Sequence, residues 1–236
     1  MKKIGFTGKC PNGDISALSD QIKKLREVGV DSLEISIFET DVICGQKINQ
    51  HELKILKNTL LSQDIDYTVH GELSVNLMDQ ENFDSHKEVL KRDIEVSGEI
   101  EATHLITHFG QTTNTIYENK NLYKSFLKKQ QDCYAELGDY AEKHNVTLAI
   151  ENLFPFTLTN YAPLPNEIAS QLNSINHPRV KCCLDISHAY INCTFRNAHF
   201  IEEIKSMASL SEHIHMHDSF GLIERICAYI PAEYTS

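Results

Sequence analysis

Residues 146–188 read VTLAIENLFPFTLTNYAPLPNEIASQLNSINHPRVKCCLDISH, and the order of features in this stretch decides the fold. A short apolar run, Val146 to Leu153, gives way to a Pro-rich segment, Phe154 to Pro165, and a longer stretch, after which a second apolar run spans Val180 to Ile186. Short runs rich in β-branched residues that alternate with longer amphipathic stretches are the pattern of βα units on a parallel sheet. Each of these two runs also places a carboxylate at its end, Glu151 and Asp185. A carboxylate directly after Leu148-Ala149-Ile150 must be paired, protonated or metal-bound, because an isolated buried charge is costly. Asp185, after Cys182-Cys183-Leu184, stands under the same constraint.

The unit recurs on both sides. Further runs are Lys3 to Thr7, Ser32 to Phe38, Tyr67 to His70, His104 to Phe109 and His213 to His217, which makes seven in all. Between them, Ile15, Leu18, Ile22, Leu25 and Val28 form one helical stripe and Leu53, Leu56 and Leu60 another. Ser85 and Glu88 have capping-box spacing ahead of Val89, Leu90 and Ile94, which predicts a helix start there. The expected architecture is a single α/β domain over residues 1–236, a barrel of βα units with seven strands visible and the eighth unit missing. Open first and seventh strands would leave unpaired edges, a route to homo-oligomers.

In such barrels the C-terminal ends of the strands and the loops after them form the active face. The run ends supply His70, His108, Glu151, Asp185 with His188 just beyond it, and His215, His217 and Asp218. Five consecutive runs thus end in metal-competent side chains. Imidazole with carboxylate suits zinc, manganese, cobalt or iron, whereas an all-oxygen set favours magnesium or calcium. The expected cofactor is a divalent metal, zinc, manganese, cobalt or magnesium, with room for more than one ion. Asn152, Ser187 and Asp218 are placed to orient the ligands. Glu34 within the second run reads either as a substrate-binding group or as a paired structural carboxylate. His213 shares a face with His215 and His217 and lies deeper. His51, His86, His144, His177 and His199 read as solvated.

The net charge of -11, from 22 basic and 33 acidic residues, disfavours a nucleic-acid partner and favours a small substrate. No run approaches the roughly 20 apolar residues of a membrane span and no signal-peptide pattern opens the chain, so a cytoplasmic location is the expectation. The seven cysteines (10, 44, 133, 182, 183, 193 and 227) form no CxxC pair, which argues for reduced thiols. Phosphate loops of the GxGxxG or GxxxxGKS kind and the GxSxG elbow are absent.

Taken together, His70 with Asn76-Leu77, His108-Phe109-Gly110, Glu151-Asn152, Leu184-Asp185 with His188, and His215 with His217-Asp218-Ser219 resemble the xylose-isomerase-like TIM barrel superfamily over about residues 30–220. That superfamily holds sugar isomerases and epimerases and the endonuclease IV type of apurinic-site nuclease. Resemblance to the ketose 3-epimerases implies Glu151, Asp185 and His215 as ligands of one metal, with His188 touching substrate; their fourth ligand, a glutamate of the eighth strand, has no counterpart here. Resemblance to the nucleases adds His70 and His108 and implies that Glu151 bridges two ions of a larger cluster, of which three later ligands are missing. Leu73 stands where the nucleases place an aromatic wedge, His217 stands where they have asparagine, and residues 39–50 carry Lys47 as their only base. The leading expectation is a metal-dependent sugar or sugar-phosphate isomerase or epimerase, with Glu151 and His188 catalytic and Glu34, Asn152, His217 and Asp218 contacting substrate. The alternatives are an endonuclease IV-like phosphodiesterase acting on apurinic/apyrimidinic sites, and a non-catalytic metal-binding barrel fragment.

Overall fold

The computed structural model describes residues 3–61, 63–219 and 221. Each expected run forms a strand: β1 (Gly5–Gly8), β2 (Ser32–Ser36), β3 (Asp66–His70), β4 (His104–His108), β5 (Thr147–Glu151), β6 (Val180–Asp185) and β7 (Ser211–His215). They pair in chain order, all parallel, into one seven-stranded sheet. The crossovers carry α1 (Ala17–Glu27), α2 (Gln50–Leu60), α3 (Phe83–Glu99), α4 (Lys120–Lys143), α5 (Pro165–Ile175), α6 (Ile186–Arg196) and α7 (Phe200–Ala208).

The sheet is curled into a barrel wall. Strands five places apart in a flat sheet would lie roughly 24 Å from each other at about 4.8 Å per step. Instead Glu34 of β2 meets both His213 and His215 of β7 at 3.1 Å. Among the described residues β1 and β7 do not pair with each other. The expected lack of an eighth βα unit concerns sequence outside the described residues, as does Cys227.

The main core fills the space between sheet and helices. Leu33, Ile35, Val69, Leu105, Leu148 and Leu184 of the strands pack with Leu18, Ile22, Leu56, Ile94, Leu137 and Ile168 of the helices. Each such side chain contributes about 1.5–3 kcal/mol by leaving water. Inside the curl, a separate small apolar group of Ile106, Ala149 and Cys183 lies beneath the strand ends. The six cysteines within the described residues are free thiols.

Three local expectations are corrected. Val28 is 75% exposed, because α1 stops at Glu27 and Val28 caps it outside the buried stripe. The helix expected from Ser85 begins earlier, at Phe83, so Ser85 sits inside its first turn. Asp79 is the reason: its side chain accepts from the amides of Glu81 and Asn82 at 3.0 and 3.3 Å, and that turn launches the helix at Asn82. Finally, β7 ends at His215 because its partner β6 ends opposite, at Asp185, where the chain turns into α6; His217 and Asp218 therefore follow the strand.

Candidate metal centre

Glu151 closes the central strand β5 and is 1% exposed. In register beside it, His108 ends β4, and His70 ends β3 one strand further on. Their Nε2 atoms each lie 3.3 Å from Glu151 Oε2. On the other side His215 Nδ1 is 2.9 Å and His188 Nδ1 3.5 Å from Glu151 Oε1. One buried carboxylate thus faces four imidazoles.

Asp185 builds the second half. It ends β6 and caps α6, its Oδ1 accepting from the His188 amide at 2.7 Å, which fixes His188 one turn into the helix. The other oxygen, Oδ2, faces His217 Nε2 at 3.0 Å, His188 Nδ1 at 3.7 Å and His215 Nδ1 at 3.9 Å. Asn152, fully buried, holds this strand end in place: it donates to the Asp185 carbonyl at 2.9 Å and accepts from the Asp185 amide at 2.8 Å. The Asn152 carbonyl in turn accepts from His188 Nδ1 at 3.0 Å. Ser187 donates to the His217 carbonyl and so ties the segment after β7 to α6.

The loops that carry these residues are braced from behind. Gly71 follows His70, and a Cβ there would lie 2.9 Å from Asp93 Oδ2 and 3.2 Å from the Ile106 carbonyl, so any side chain would force its neighbours to shift. Asn76 grips Gln111 with two bonds of 3.0 Å, and Tyr134 donates to the His108 carbonyl at 2.9 Å. The Pro-rich segment after β5 is anchored by Asn192, which donates to the carbonyls of Leu153, Ala162 and Pro163 at 3.0–3.3 Å.

Electrostatics follow from this crowding. Burial alone would push Glu151 up, but the charge of His215 and the closeness of the His108, His215 and His70 rings hold it well below the usual carboxylate range. Burial opposes charge on His215 as well, yet Cys183 and Glu151 raise it well above an ordinary imidazole. His188 is lowered by burial and stays neutral, while the bond to Asp185 raises His217.

The expected ligands His70, His108, Glu151, Asp185, His188 and His215 therefore converge, and His217 joins them. Glu34 points into the barrel below them, where Thr68 donates to it at 3.3 Å beside His213 and His215. Asp218 is exposed. His86 and His177, read as solvated, are instead largely buried with side chains 17% and 14% exposed, against Asp79 and Asp139. Two aromatic rings flank the histidines: Phe38, which the sequence did not single out, meets His70 edge-on at 5.7 Å, and Phe154, which opens the Pro-rich segment after β5, meets His188 at 5.0 Å. Phe38 follows β2 by two residues, and only its position after a strand end could have drawn notice.

The donors suit a divalent ion. Glu151 Oε2 is buried and has no hydrogen bond, although two imidazole nitrogens stand 3.3 Å away. Ligand atoms bound to zinc at about 2.0–2.1 Å in tetrahedral geometry lie roughly 3.3–3.4 Å apart. Three overlapping sets, His70-His108-Glu151, Glu151-Asp185-His215 and Asp185-His188-His217, each keep their ligand atoms within 4.8 Å of one another.

Comparison with known proteins identifies the family and the fold. The family described as xylose isomerase-like TIM barrel matches residues 22–225. A D-tagatose 3-epimerase-like protein superposes with a TM-score of 0.70 at 18% identity, over 94% of this chain and 78% of that one. D-psicose 3-epimerase, crystallised in the presence of D-fructose, gives 0.63 at 15% identity over 91% and 72%. A xylose isomerase-like TIM barrel protein from Mycobacterium smegmatis, in complex with magnesium, gives 0.61 at 16% identity over 86% and 66%. No protein of curated function matches by sequence. No helix among the described residues is long and apolar enough to cross a membrane.

Proposed function

Because the chain belongs to the xylose isomerase-like TIM barrel family, we propose that it is a divalent-metal-dependent sugar or sugar-phosphate isomerase or epimerase. The observation that carries this reading is Glu151, a buried carboxylate with an unbonded oxygen between two histidines and two more histidines on its other side. Glu151, Asp185 and His215 would hold the ion, with His70 and His108 completing the ring. A divalent cation there supplies Lewis-acid polarisation of neighbouring carbonyl and hydroxyl oxygens of a sugar. Glu151, at the centre of the donor ring, is the carboxylate placed to take a proton from the carbon beside that carbonyl. His188 donates Nδ1–H to the Asn152 carbonyl, which leaves its Nε2 lone pair to hold a substrate hydroxyl proton. Phe154 against the His188 ring helps keep water from it.

One observation favours a second reading, an endonuclease IV-like phosphodiesterase: the three overlapping donor sets exceed what a mononuclear site needs. The net charge of -11 weighs against a DNA substrate.

The test is deuterium wash-in at the carbon next to the carbonyl, over a panel of ketoses and ketose phosphates, with metal-loaded protein in heavy water. Exchange with at least one sugar, lost in Glu151→Gln, is expected. Absence of exchange across the panel, together with nicking of a duplex bearing one abasic site, would replace the first reading by the second.

A further inference from the structure

Below the ring, in the barrel interior, is a second group of donors, Cys183, His213 and Glu34, that the proposed chemistry does not use and that shares only His215 with it. Glu34 Oε2 lies 3.1 Å from His213 Nε2 and 3.1 Å from His215 Nε2. Cys183, fully buried on β6, keeps its sulfur within 4.8 Å of the ligand atoms of His213 and His215. A register shift makes this possible: Cys182 faces Ser211, but Cys183 faces His213, so Glu212 is the extra residue on β7. Such bulges re-aim side chains, and here the bulge sets His213 beside the thiol.

His215 links the two levels. Its Nδ1 faces Glu151 at 2.9 Å while its Nε2 faces Glu34 at 3.1 Å. A ring flanked by carboxylate oxygens at both nitrogens needs a cation on each side, a proton or a metal ion. The lower side offers a buried sulfur, two partly buried imidazoles and a nearby carboxylate, and cysteine with histidine is a donor composition common in structural zinc sites.

We propose that Cys183, His213 and His215, with Glu34 set against the two histidine rings, form a second, structural site for a thiophilic divalent cation such as zinc, which pins β7 to β6 and, through Glu34, to β2. Binding exchanges a proton for metal: the Cys183 S–H bond breaks as the S–metal bond forms and its proton goes to solvent, while each histidine offers a ring nitrogen that carries no proton. The resulting link spans 179 residues of sequence between Glu34 and His213 and stabilises the curl on which the upper ring depends. It does not rest on the upper ring being catalytic.

The probe is Co2+ alone, titrated into the chelator-stripped chain and followed by the near-ultraviolet charge-transfer absorption that only cysteine-sulfur ligation gives. The expected result is a thiolate band that saturates with a single equivalent. Cys183→Ser abolishes it, and His213→Gln weakens Co2+ affinity at this position by more than about tenfold. His70→Ala and His108→Ala, which remove donors of the upper ring only, keep the band and lose other bound cobalt, so failure of either site is seen separately. A wild-type chain without the band at saturation, or a band that survives Cys183→Ser, overturns the proposal. Should Cys183→Ser fail to fold by circular dichroism, an undiminished band in His213→Gln overturns it instead.

Discussion

Two of the buried carboxylates among the described residues, Glu151 and Asp93, sit in opposite circumstances. Glu151, at the mouth of the barrel, is ringed by imidazoles and held ionised. Asp93, on α3 behind the end of β3, accepts only the Glu72 amide at 3.3 Å, and burial pushes it up to about 7. Its Oδ1 has no partner. Burial is equal in the two places; what differs is the supply of positive charge. The comparison teaches that the mouth is a charge-organised site, whereas the seam behind β3 tolerates its acid by protonating it.

The largest expected effect breaks the first half of the comparison. Glu151→Gln should lower divalent-metal affinity by more than about 100-fold, read by isothermal titration. In the stripped protein it should also cost about 3 kcal/mol in denaturant melts near neutral pH, because a partner of charged histidines is gone.

The second variant should have the opposite sign. Asp93 is an acid whose value rises from 3.8 to about 7 on folding, so the folded state keeps a proton that the unfolded chain releases. Stability therefore falls as pH rises from about 4 to about 7 and is level above that. Asp93→Asn removes this dependence: relative to wild type it should gain roughly 4 kcal/mol at about pH 8 and nothing near pH 4. Parallel pH–melting curves check it; parallel slopes in the two proteins would count against it.

Smaller effects sharpen the account of how the mouth is held. Asn152→Ala deletes both bonds to the Asp185 backbone and should cost about 1–3 kcal/mol while loosening metal binding about tenfold. Tyr134→Phe loses a single bond to the His108 carbonyl and should cost about 1 kcal/mol with metal affinity unchanged.

Much of this was legible in the chain itself. Glu151 and Asp185 were conspicuous because each follows three apolar residues, and His70, His108 and His215 because they end runs that alternate with helical stripes. The strands follow those runs, since burial on both faces demands continuous apolar sequence. What stayed hidden depends on curvature or on local competition. Glu34 meets β7 only because the sheet curls, and no spacing in sequence encodes that approach. The histidine ladder of β7 was visible as alternation, but the bulge that sets His213 against Cys183 was not. Ser85 had capping chemistry and lost to Asp79, whose turn came first along the chain. Phe38 and Phe154 lie just beyond strand ends, where sequence alone does not show which way a ring turns.

The central claim is that the strand ends around Glu151 hold divalent metal, and anomalous diffraction from crystals grown with zinc or manganese tests it most directly. The account predicts an anomalous peak at about 2.0–2.2 Å from the Glu151 carboxylate and from His70 and His108 Nε2. Crystals saturated with metal whose anomalous peaks all lie elsewhere, with Glu151 still bonded to its histidines, would contradict it.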